Sequence, residues 1–307
     1  MSILRQATTD YFAVRRALGF KLVRSEKLLG QFVTYLEQRG EVRITTEMAV
    51  AWAILPQAGQ TWAYARLSVV RRFATYMRSI DPDTEVPPTH ILVQKKGRAT
   101  PFLYSPADLA ALMDATKALR LAEQGVTLRT LILLLSVTGM RIGEAIRLDV
   151  EDFDLGNGIL VVRNTKFGKT REVPLHQTTA TALSSYLGRE NQPKRRAGTR
   201  ALFLSATGTR LDYNRTQQTF RQLVEAAGLR PRSASCRPRL HDLRHTFAVE
   251  TILDGYRDGN EPGNRIALLS TYLGHVDPAS TYWYLSAAPE LLALACARLE
   301  RGLGGAA

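Results

Sequence analysis

The chain has 307 residues, of which 45% are hydrophobic, and its 41 lysines and arginines against 28 acidic residues give a net charge of +13. This length predicts about two domains with ordinary cores, and no apolar run approaches the roughly 20 residues that a membrane-spanning helix needs. We expect no signal peptide, because the N-terminus lacks a basic segment followed by an apolar one. Both halves of the chain are basic, which favours a polyanionic partner, duplex DNA above all.

The two cysteines, Cys236 and Cys296, have neither metal-ligand spacing nor the arrangement of a disulfide framework. They are typical of incidental thiols in a reducing cytosol, so we expect a cytoplasmic protein that acts on DNA. Asp and Glu residues form no cluster with metal-ligand spacing. We therefore expect neither a metal nor another cofactor.

Residues 1–85 are predicted to form a small all-helical domain. Four segments carry apolar residues near i, i+3, i+4 and i+7, with glycines and a proline between them. The basic side chains on these helices favour contact with DNA, although any one of them is also compatible with a solvated helix face. The predicted DNA-binding residues of this domain are Arg15, Arg16, Arg66, Arg71 and Arg72.

Residues 86–102 are rich in proline and polar residues and show no periodicity, so they are predicted to be a linker. Its central basic residues, Lys95 and Lys96, are candidates for phosphate contacts. Residues 103–307 then form a second predicted domain.

The second domain is predicted to combine many helices with few strands. Ser105 and Pro106 have the residue types of an N-cap and a first helical position. A buried helix is expected to end at Gly139, and another helix begins directly after it. Two strands, at 158–164 and 170–175, flank a glycine-containing turn, and a short strand is expected at 201–205. Further helices are predicted at 178–190, 213–227, 241–254, 265–273, 278–286 and 289–302. The predicted fold class is mainly α with a small β-sheet (α+β).

Two tyrosines near the end of the chain raise a question of orientation. Tyr282 and Tyr284 follow His275 and an Asp-Pro pair that is typical of a helix start. On one helix the two side chains would lie about 200° apart. Only one of them can therefore face a given site, and spacing does not decide which.

Four segments of the second domain resemble the tyrosine recombinase (phage integrase) family. They are TGMRIGEAIRL, TKFGKTREVPL, LHDLRHTFA and LGHVDPASTYWYL, in the family's order, and the resemblance spans about residues 105–300. It implies site-specific recombination of duplex DNA through a covalent 3′-phosphotyrosine, without metal or ATP. It also implies a homo-oligomer on DNA, a tetrameric synapse, in the integration, excision or transposition of a mobile element, with companion recombinases as further partners. The last predicted helix either docks on a neighbouring subunit or packs within its own chain.

The resemblance also assigns catalytic roles to six residues. Two arginines would hold the non-bridging phosphate oxygens, which suits a planar guanidinium that stays protonated. Lys166, in the predicted turn, would protonate the leaving 5′ oxygen. His241 would exchange a proton with the nucleophilic tyrosine, and His275 would contact the phosphate. The assigned residues are Arg141, Lys166, His241, Arg244, His275 and Tyr284.

Neighbouring residues complete the predicted site. Glu144 lies three residues after Arg141, so the two share a helix face and Glu144 is expected to orient the guanidinium. Lys169 is an alternative to Lys166 as far as spacing goes. Otherwise Lys169 and Arg171 are expected to contact DNA phosphates or to lie in a solvated turn.

Other functions remain open from the sequence. A type IB topoisomerase or a telomere resolvase would share the chemistry, and a DNA-binding regulator without activity would share the fold. Every catalytic position that the resemblance implies is filled in this sequence, which favours a recombinase over a regulator without activity. An unusually long segment around residues 256–264 leaves the subfamily open.

Overall fold

The structure is a computed structural model that describes residues 2–92, 99–163, 168–257 and 262–274. The chain divides into two compact units, Met1–Gly97 and Arg98–Ala307. The predicted linker spans this division, but its ends are packed segments: Val86 and Leu92 contact the core of the first unit, and Phe102 belongs to the core of the second. Within the described ranges, no helix combines the length and the apolar character needed to span a membrane. The helices predicted at 278–286 and 289–302 lie outside the described residues.

The first unit contains the four predicted helices, which confirms the periodicity analysis. They are α1 (Ile3–Ala17), α2 (Val23–Glu37), α3 (Thr46–Ile54) and α4 (Gln60–Arg78). The side chains of Ser2 and Thr45 accept hydrogen bonds from the first turns of α1 and α3, as good N-cap residues do. The apolar faces meet in one core that includes Phe12, Phe32 and Phe73.

Arg66 corrects the sequence-based set of DNA contacts, because it lies inside this core. Only 7% of the residue is exposed, its Nη2 donates to the Trp52 carbonyl at 2.8 Å, and its guanidinium lies 3.6 Å from the centroid of the Trp52 ring. Burial lowers the pKa of Arg66. Periodicity located Arg66 on α4 but did not show that Trp52 of α3 covers that position.

The second unit contains seven helices among its described residues. They are α5 (Pro106–Lys117), α6 (Ala122–Thr138), α7 (Ile142–Arg147), α8 (Gln177–Leu187), α9 (Tyr213–Ala226), α10 (Asp242–Arg257) and α11 (Pro262–Leu273). Ser105 caps α5 as predicted, since it accepts from the Asp108 amide at 3.1 Å and Asp108 accepts from the Ser105 amide at 2.9 Å. α6 contributes Leu128, Leu131 and Leu135 to the core of this unit.

A three-stranded antiparallel sheet accompanies these helices, in the order β1 (Phe153–Asp154), β2 (Ile159–Val162) and β3 (Arg171–Pro174). Leu160 pairs with Val173 and Val162 pairs with Arg171, which confirms the predicted hairpin. Residues 201–205 do not form the predicted strand. They make only isolated bridges, from Ala201 to Asp149 and from Leu204 to Arg210. The pairing with residues 148–150, through the Val150 amide to the Arg200 carbonyl and the Leu202 amide to the Leu148 carbonyl, is too short to form a strand. The α+β fold class is confirmed.

The end of α6 brings three helices together. Gly139 caps α6 with φ +60°, and a β-carbon at this position would lie 2.4 Å from Cδ1 of Phe247 and 3.0 Å from Cδ2 of Leu273. The close approach of α10 and α11 therefore requires glycine here for two reasons, the left-handed backbone and the missing side chain. This turn leads within two residues to Arg141.

We predict that Gly139→Ala lowers the free energy of unfolding by more than the backbone conformation alone explains. The left-handed conformation costs a residue other than glycine about 1–2 kcal/mol, and displacement of Phe247 adds about 1–3 kcal/mol of overpacking. Urea denaturation of the full chain measures the sum. Gly228→Ala is the matched control, because Gly228 has φ +69° but a β-carbon added there would meet no atom within 4 Å. Equal losses in the two variants would contradict the packing argument.

Candidate active site

A cleft of about 410 Å³ in the second unit contains two of the residues that the sequence assigned to catalysis. Arg141, Glu144, Arg147, Tyr213 and His241 line it. These side chains come from three places along the chain: the start and end of α7, the start of α9 and the residue before α10. The fold therefore assembles the cleft from segments about 100 residues apart.

Arg141 is held at the start of α7 by its contact with Glu144. Its Nη1 donates to Glu144 Oε1 at 2.9 Å, and its backbone amide donates to Glu144 Oε2 at 3.1 Å. The contact predicted from the i,i+3 spacing is thus confirmed. The Arg141 side chain remains 35% exposed, so the guanidinium is oriented and still accessible from the cleft.

Arg171 occupies a different place from the one expected. The sequence indicated a DNA phosphate contact or a solvated turn, but its Nη2 and Nη1 donate to Glu144 Oε2 and Oε1 at 2.7 and 3.2 Å, and its side chain is only 14% exposed. The alternation of side chains along β3 could have predicted that Arg171 points inward. Arg171 and Val173 lie on the same face of β3, and Val173 is fully buried.

Glu144 is a buried carboxylate that stays ionised. Burial by itself raises the pKa of Glu144, but the hydrogen bonds and charge of Arg171, together with the hydrogen bonds from Arg141, outweigh it and hold this pKa at about 2. Each of its two oxygens accepts from both arginine residues. A negative charge is therefore held between two positive ones at any pH well above 2.

Arg244 is almost completely buried, at 2% exposure. Its Nη1 donates to the carbonyl of Gly139 at 2.7 Å and its Nη2 to the carbonyl of Leu273 at 2.8 Å. These carbonyls stand at the C-terminal ends of α6 and α11, where the helix dipole favours a cation. Two helix ends thus fix the direction of this guanidinium.

His241 stands directly before α10, with its ring edge-on to His245 at a centroid distance of 4.9 Å. Desolvation by the surrounding protein, followed by the charges of Arg244 and Arg141, lowers the pKa of His241 to about 4. The imidazole is consequently neutral near pH 7 and can accept a proton. The charges of both arginines therefore act on the His241 ring.

The remaining predicted catalytic residues, Lys166, His275 and Tyr284, lie outside the described residues, as do Lys95, Lys96, Tyr282 and Cys296. β3 begins at Arg171, which lies against Gly274, the residue before His275. In the described part of the chain, no group of three or more His, Cys, Asp or Glu side chains is arranged to hold a metal ion.

The other predicted DNA-binding residues have different surroundings. Arg15 lies 4.2 Å over the Phe20 ring, and Arg16 pairs with Glu26 on the surface. Arg71 donates to the carbonyls of Pro87 and Pro88 at 2.6 and 2.9 Å, so its guanidinium holds the segment that follows α4. Arg72 and Lys169 are exposed. DNA contact by the exposed members of this set stays a prediction.

The oriented guanidinium of Arg141 and the neutral imidazole of His241 line an open cleft, and the Arg244 guanidinium acts on the same imidazole. This set suits one kind of chemistry. Transfer at a phosphodiester needs positive charge on the non-bridging oxygens and a group that exchanges a proton with the nucleophile. An enzyme that cuts and rejoins DNA strands needs such a set, and the mainly helical fold with its small sheet agrees with the family that the sequence resembles.

Comparison with known proteins identifies the family. The sequence model of the phage integrase family matches residues 104–290. A putative integrase/recombinase of Sinorhizobium fredii, y4rB, is 43% identical over 98% of this chain and 98% of its own length. Tyrosine recombinase XerD of Caulobacter vibrioides is 31% identical over 75% of this chain and 72% of its own length. The chain belongs to the phage integrase family and is a tyrosine-type DNA recombinase that acts in site-specific recombination.

Solved structures share the fold. The Tn1549 transposon integrase in complex with a circular intermediate DNA has a TM-score of 0.65 at 18% identity, and the match covers 96% of this chain and 98% of that one. A λ integrase dimer bound to a core site has a TM-score of 0.60 at 18% identity, covering 92% and 94%.

Glu144→Gln is predicted to lower the free energy of unfolding by on the order of 3 kcal/mol at pH 7, because it removes the charge shared by two arginines. The carboxyl titrates near 4.5 when unperturbed and near 2 in the fold. Wild-type protein therefore has its full advantage above pH 4.5 and loses it as the pH falls towards 2. Chemical denaturation of both proteins across this range measures the difference. A difference that stays constant down to pH 2 would contradict the assignment.

His241 is predicted to titrate near pH 4 in the DNA-free protein, against about 6.5 for an ordinary histidine. NMR of ring-labelled histidine measures the midpoint, with His241→Gln to assign the resonance. Arg141→Gln removes one of the repelling charges and should raise the midpoint. Since the unfolded chain takes up this proton at the higher pH, protonation of His241 opposes folding as the pH falls below about 6.5. A midpoint near 6.5 in the wild type would contradict the electrostatic argument.

Proposed function

We propose that this recombinase cleaves one DNA strand by attack of Tyr284 on a phosphodiester bound in the Arg141–His241 cleft. The new bond joins the tyrosine oxygen to phosphorus, and the bond to the 5′ oxygen breaks. The 3′-phosphotyrosine retains the bond energy for rejoining. The observation that carries the proposal is that Arg141 and His241, each at its motif position, line one cleft, while Arg244 lies near enough to His241 for its charge to lower the pKa of that histidine.

The two arginines bind the non-bridging oxygens in this proposal. Attack adds negative charge to these oxygens, and donors that are oriented in advance stabilise that charge without reorganisation. Glu144 holds Arg141, and two helix-end carbonyls hold Arg244. These contacts support the assignment because they fix both side chains before DNA arrives.

Proton movements fall to three further residues. His241 takes the tyrosine proton, His275 donates to the phosphate, and Lys166 protonates the leaving 5′ oxygen. A neutral imidazole with a pKa of about 4 is a weak base in the DNA-free protein. A phosphate bound between the arginines brings negative charge, which raises the pKa of a nearby histidine. Binding of the substrate phosphate thereby makes His241 a stronger base for removing the proton from Tyr284.

The wider role follows from the relatives. A transposon integrase among the structural matches and putative integrases among the sequence relatives support the movement of a mobile element by integration, excision or transposition. The λ integrase dimer on its core site supports action as a homo-oligomer on DNA. We propose that the protein forms a tetrameric synapse on DNA, with companion recombinases as further partners. In this proposal the DNA is contacted by Arg15, Arg16, Arg72 and Lys169.

Tyr284→Phe is predicted to abolish the covalent protein–DNA adduct and to leave DNA affinity unchanged, because phenylalanine lacks only the nucleophilic oxygen. A nicked suicide substrate, built from inverted repeats found beside the gene, traps the adduct for a denaturing gel. Arg141→Ala should slow its formation by about 10²–10³-fold.

Tyr282→Phe is the matched control, since it removes a hydroxyl two residues away and should keep the adduct. Trapping of DNA by Tyr284→Phe would overturn the assignment of the nucleophile. Relaxation of plasmids without any specific site would indicate a topoisomerase instead.

A further inference from the structure

We propose that Arg171 is a positioning residue that couples the β2–β3 hairpin to Arg141 through Glu144. The inference rests on the proposed function, because Arg141 is the residue that meets the phosphate. It departs from the expected role of Arg171 as a DNA contact.

The geometry around Glu144 carries the proposal. Oε1 accepts from Nη1 of Arg141 at 2.9 Å and from Nη1 of Arg171 at 3.2 Å. Oε2 accepts from the Arg141 amide at 3.1 Å and from Nη2 of Arg171 at 2.7 Å. The carboxylate cannot turn without weakening bonds to both arginines. The orientation of Arg141 is therefore linked to the position of Arg171 at the start of β3.

Pairing with a carboxylate argues against a direct role of Arg171 on DNA. Both of its terminal nitrogens donate to Glu144, whose negative charge offsets that of the guanidinium, and the side chain is 14% exposed with its Nε buried. Arg244 is also buried, but its terminal nitrogens donate to carbonyls, which are neutral. Arg163, at the other side of the same hairpin, shows the contrast. It is 59% exposed and donates from Nε to Asp152 Oδ1 at 2.6 Å.

The charge of Arg171 also keeps Glu144 ionised. Burial favours the protonated carboxyl, and Arg171 provides the largest of the effects that oppose it. A protonated Glu144 would carry no charge and would bind the Arg141 guanidinium more weakly. Arg171 thus maintains the partner that Arg141 needs.

A third contact extends the coupling to the end of α11. A β-carbon built on Gly274 would lie 3.4 Å from Nη1 and 3.6 Å from Cδ of Arg171, so the side chain lies against the backbone just before His275. Arg244 binds the carbonyl of the preceding residue, Leu273, at 2.8 Å. The guanidinium of Arg171, a residue of the hairpin strand β3, therefore contacts both Glu144 of α7 and the backbone at the end of α11.

The first test compares Arg171→Gln and Arg171→Lys with wild type in single-turnover cleavage by the full-length protein. We expect a loss of about 10- to 100-fold for Gln, as small misplacements of a catalytic group produce. Lys should lose less, because it keeps the charge without the two-pronged geometry. DNA affinity and its salt dependence should match wild type, whereas loss of a phosphate contact would lower the salt slope by about 1.

A second substrate separates positioning from simple damage to the fold. A methylphosphonate at the scissile position lacks the negative charge that Arg141 neutralises, so loss of Arg141 should matter less on it. If Arg171 acts through Arg141, the ratio of methylphosphonate to phosphodiester cleavage rises in Arg171→Gln as it does in Arg141→Ala. This ratio is measured within one preparation and does not depend on the fraction of folded protein.

Two further variants complete the design. Arg163→Gln, the matched control on the same hairpin, should leave the rate and the ratio unchanged. The double variant Glu144→Gln/Arg171→Gln should be no slower than Glu144→Gln alone, because both changes break one connection.

Three results would overturn the proposal: wild-type cleavage by Arg171→Gln, an equal loss on both substrates, or a reduced salt slope. If Arg171→Gln yields too little folded protein, the ratio in Arg171→Lys decides in the same way. Failure of the proposed function looks different. In that case Arg141→Ala itself cleaves normally, or Tyr284→Phe still forms the adduct.

Discussion

The second unit depends on one buried carboxylate. Glu144 is 4% exposed and accepts four hydrogen bonds from two arginine residues. Its charge holds Arg141, which lines the cleft, and Arg171 of β3. Two arginines placed close together without an anion would repel each other and lose hydration. The carboxylate makes their approach favourable, and the DNA phosphate can then meet an arginine that is already oriented.

Arg244, the other arginine predicted to bind the phosphate, is oriented by neutral groups. Arg244 uses the carbonyl ends of α6 and α11 in place of a carboxylate, and Gly139 provides one of these carbonyls while its missing side chain admits Phe247. Helix packing, backbone polarity and the catalytic charge are therefore parts of one arrangement. A change in packing at Gly139 is expected to reach the site for this reason.

Local patterns predicted local structure well. The 3.6-residue period located the described helices, the Ser-Pro pair located the start of α5, and two strand-like segments around a glycine-containing turn located the hairpin. Patterns failed where a distant segment decides. Residues 201–205 have strand composition but pair with other segments only through isolated bridges, and Arg66 lies on a basic helix face that α3 covers. Burial depends on which other element packs against a surface, and the spacing of residues along one helix does not show this.

The sequence by itself determined the class of protein, because the order of its motifs identifies the family without coordinates, and it predicted which residues react. It also determined the contact of Arg141 with Glu144, since three residues along a helix bring side chains together. Only the tertiary structure decided that Arg171, 27 residues from Glu144 along the chain, shares this carboxylate, and that His241 is neutral among the arginines. Charges act through space, and their effects depend on distances that the fold alone sets.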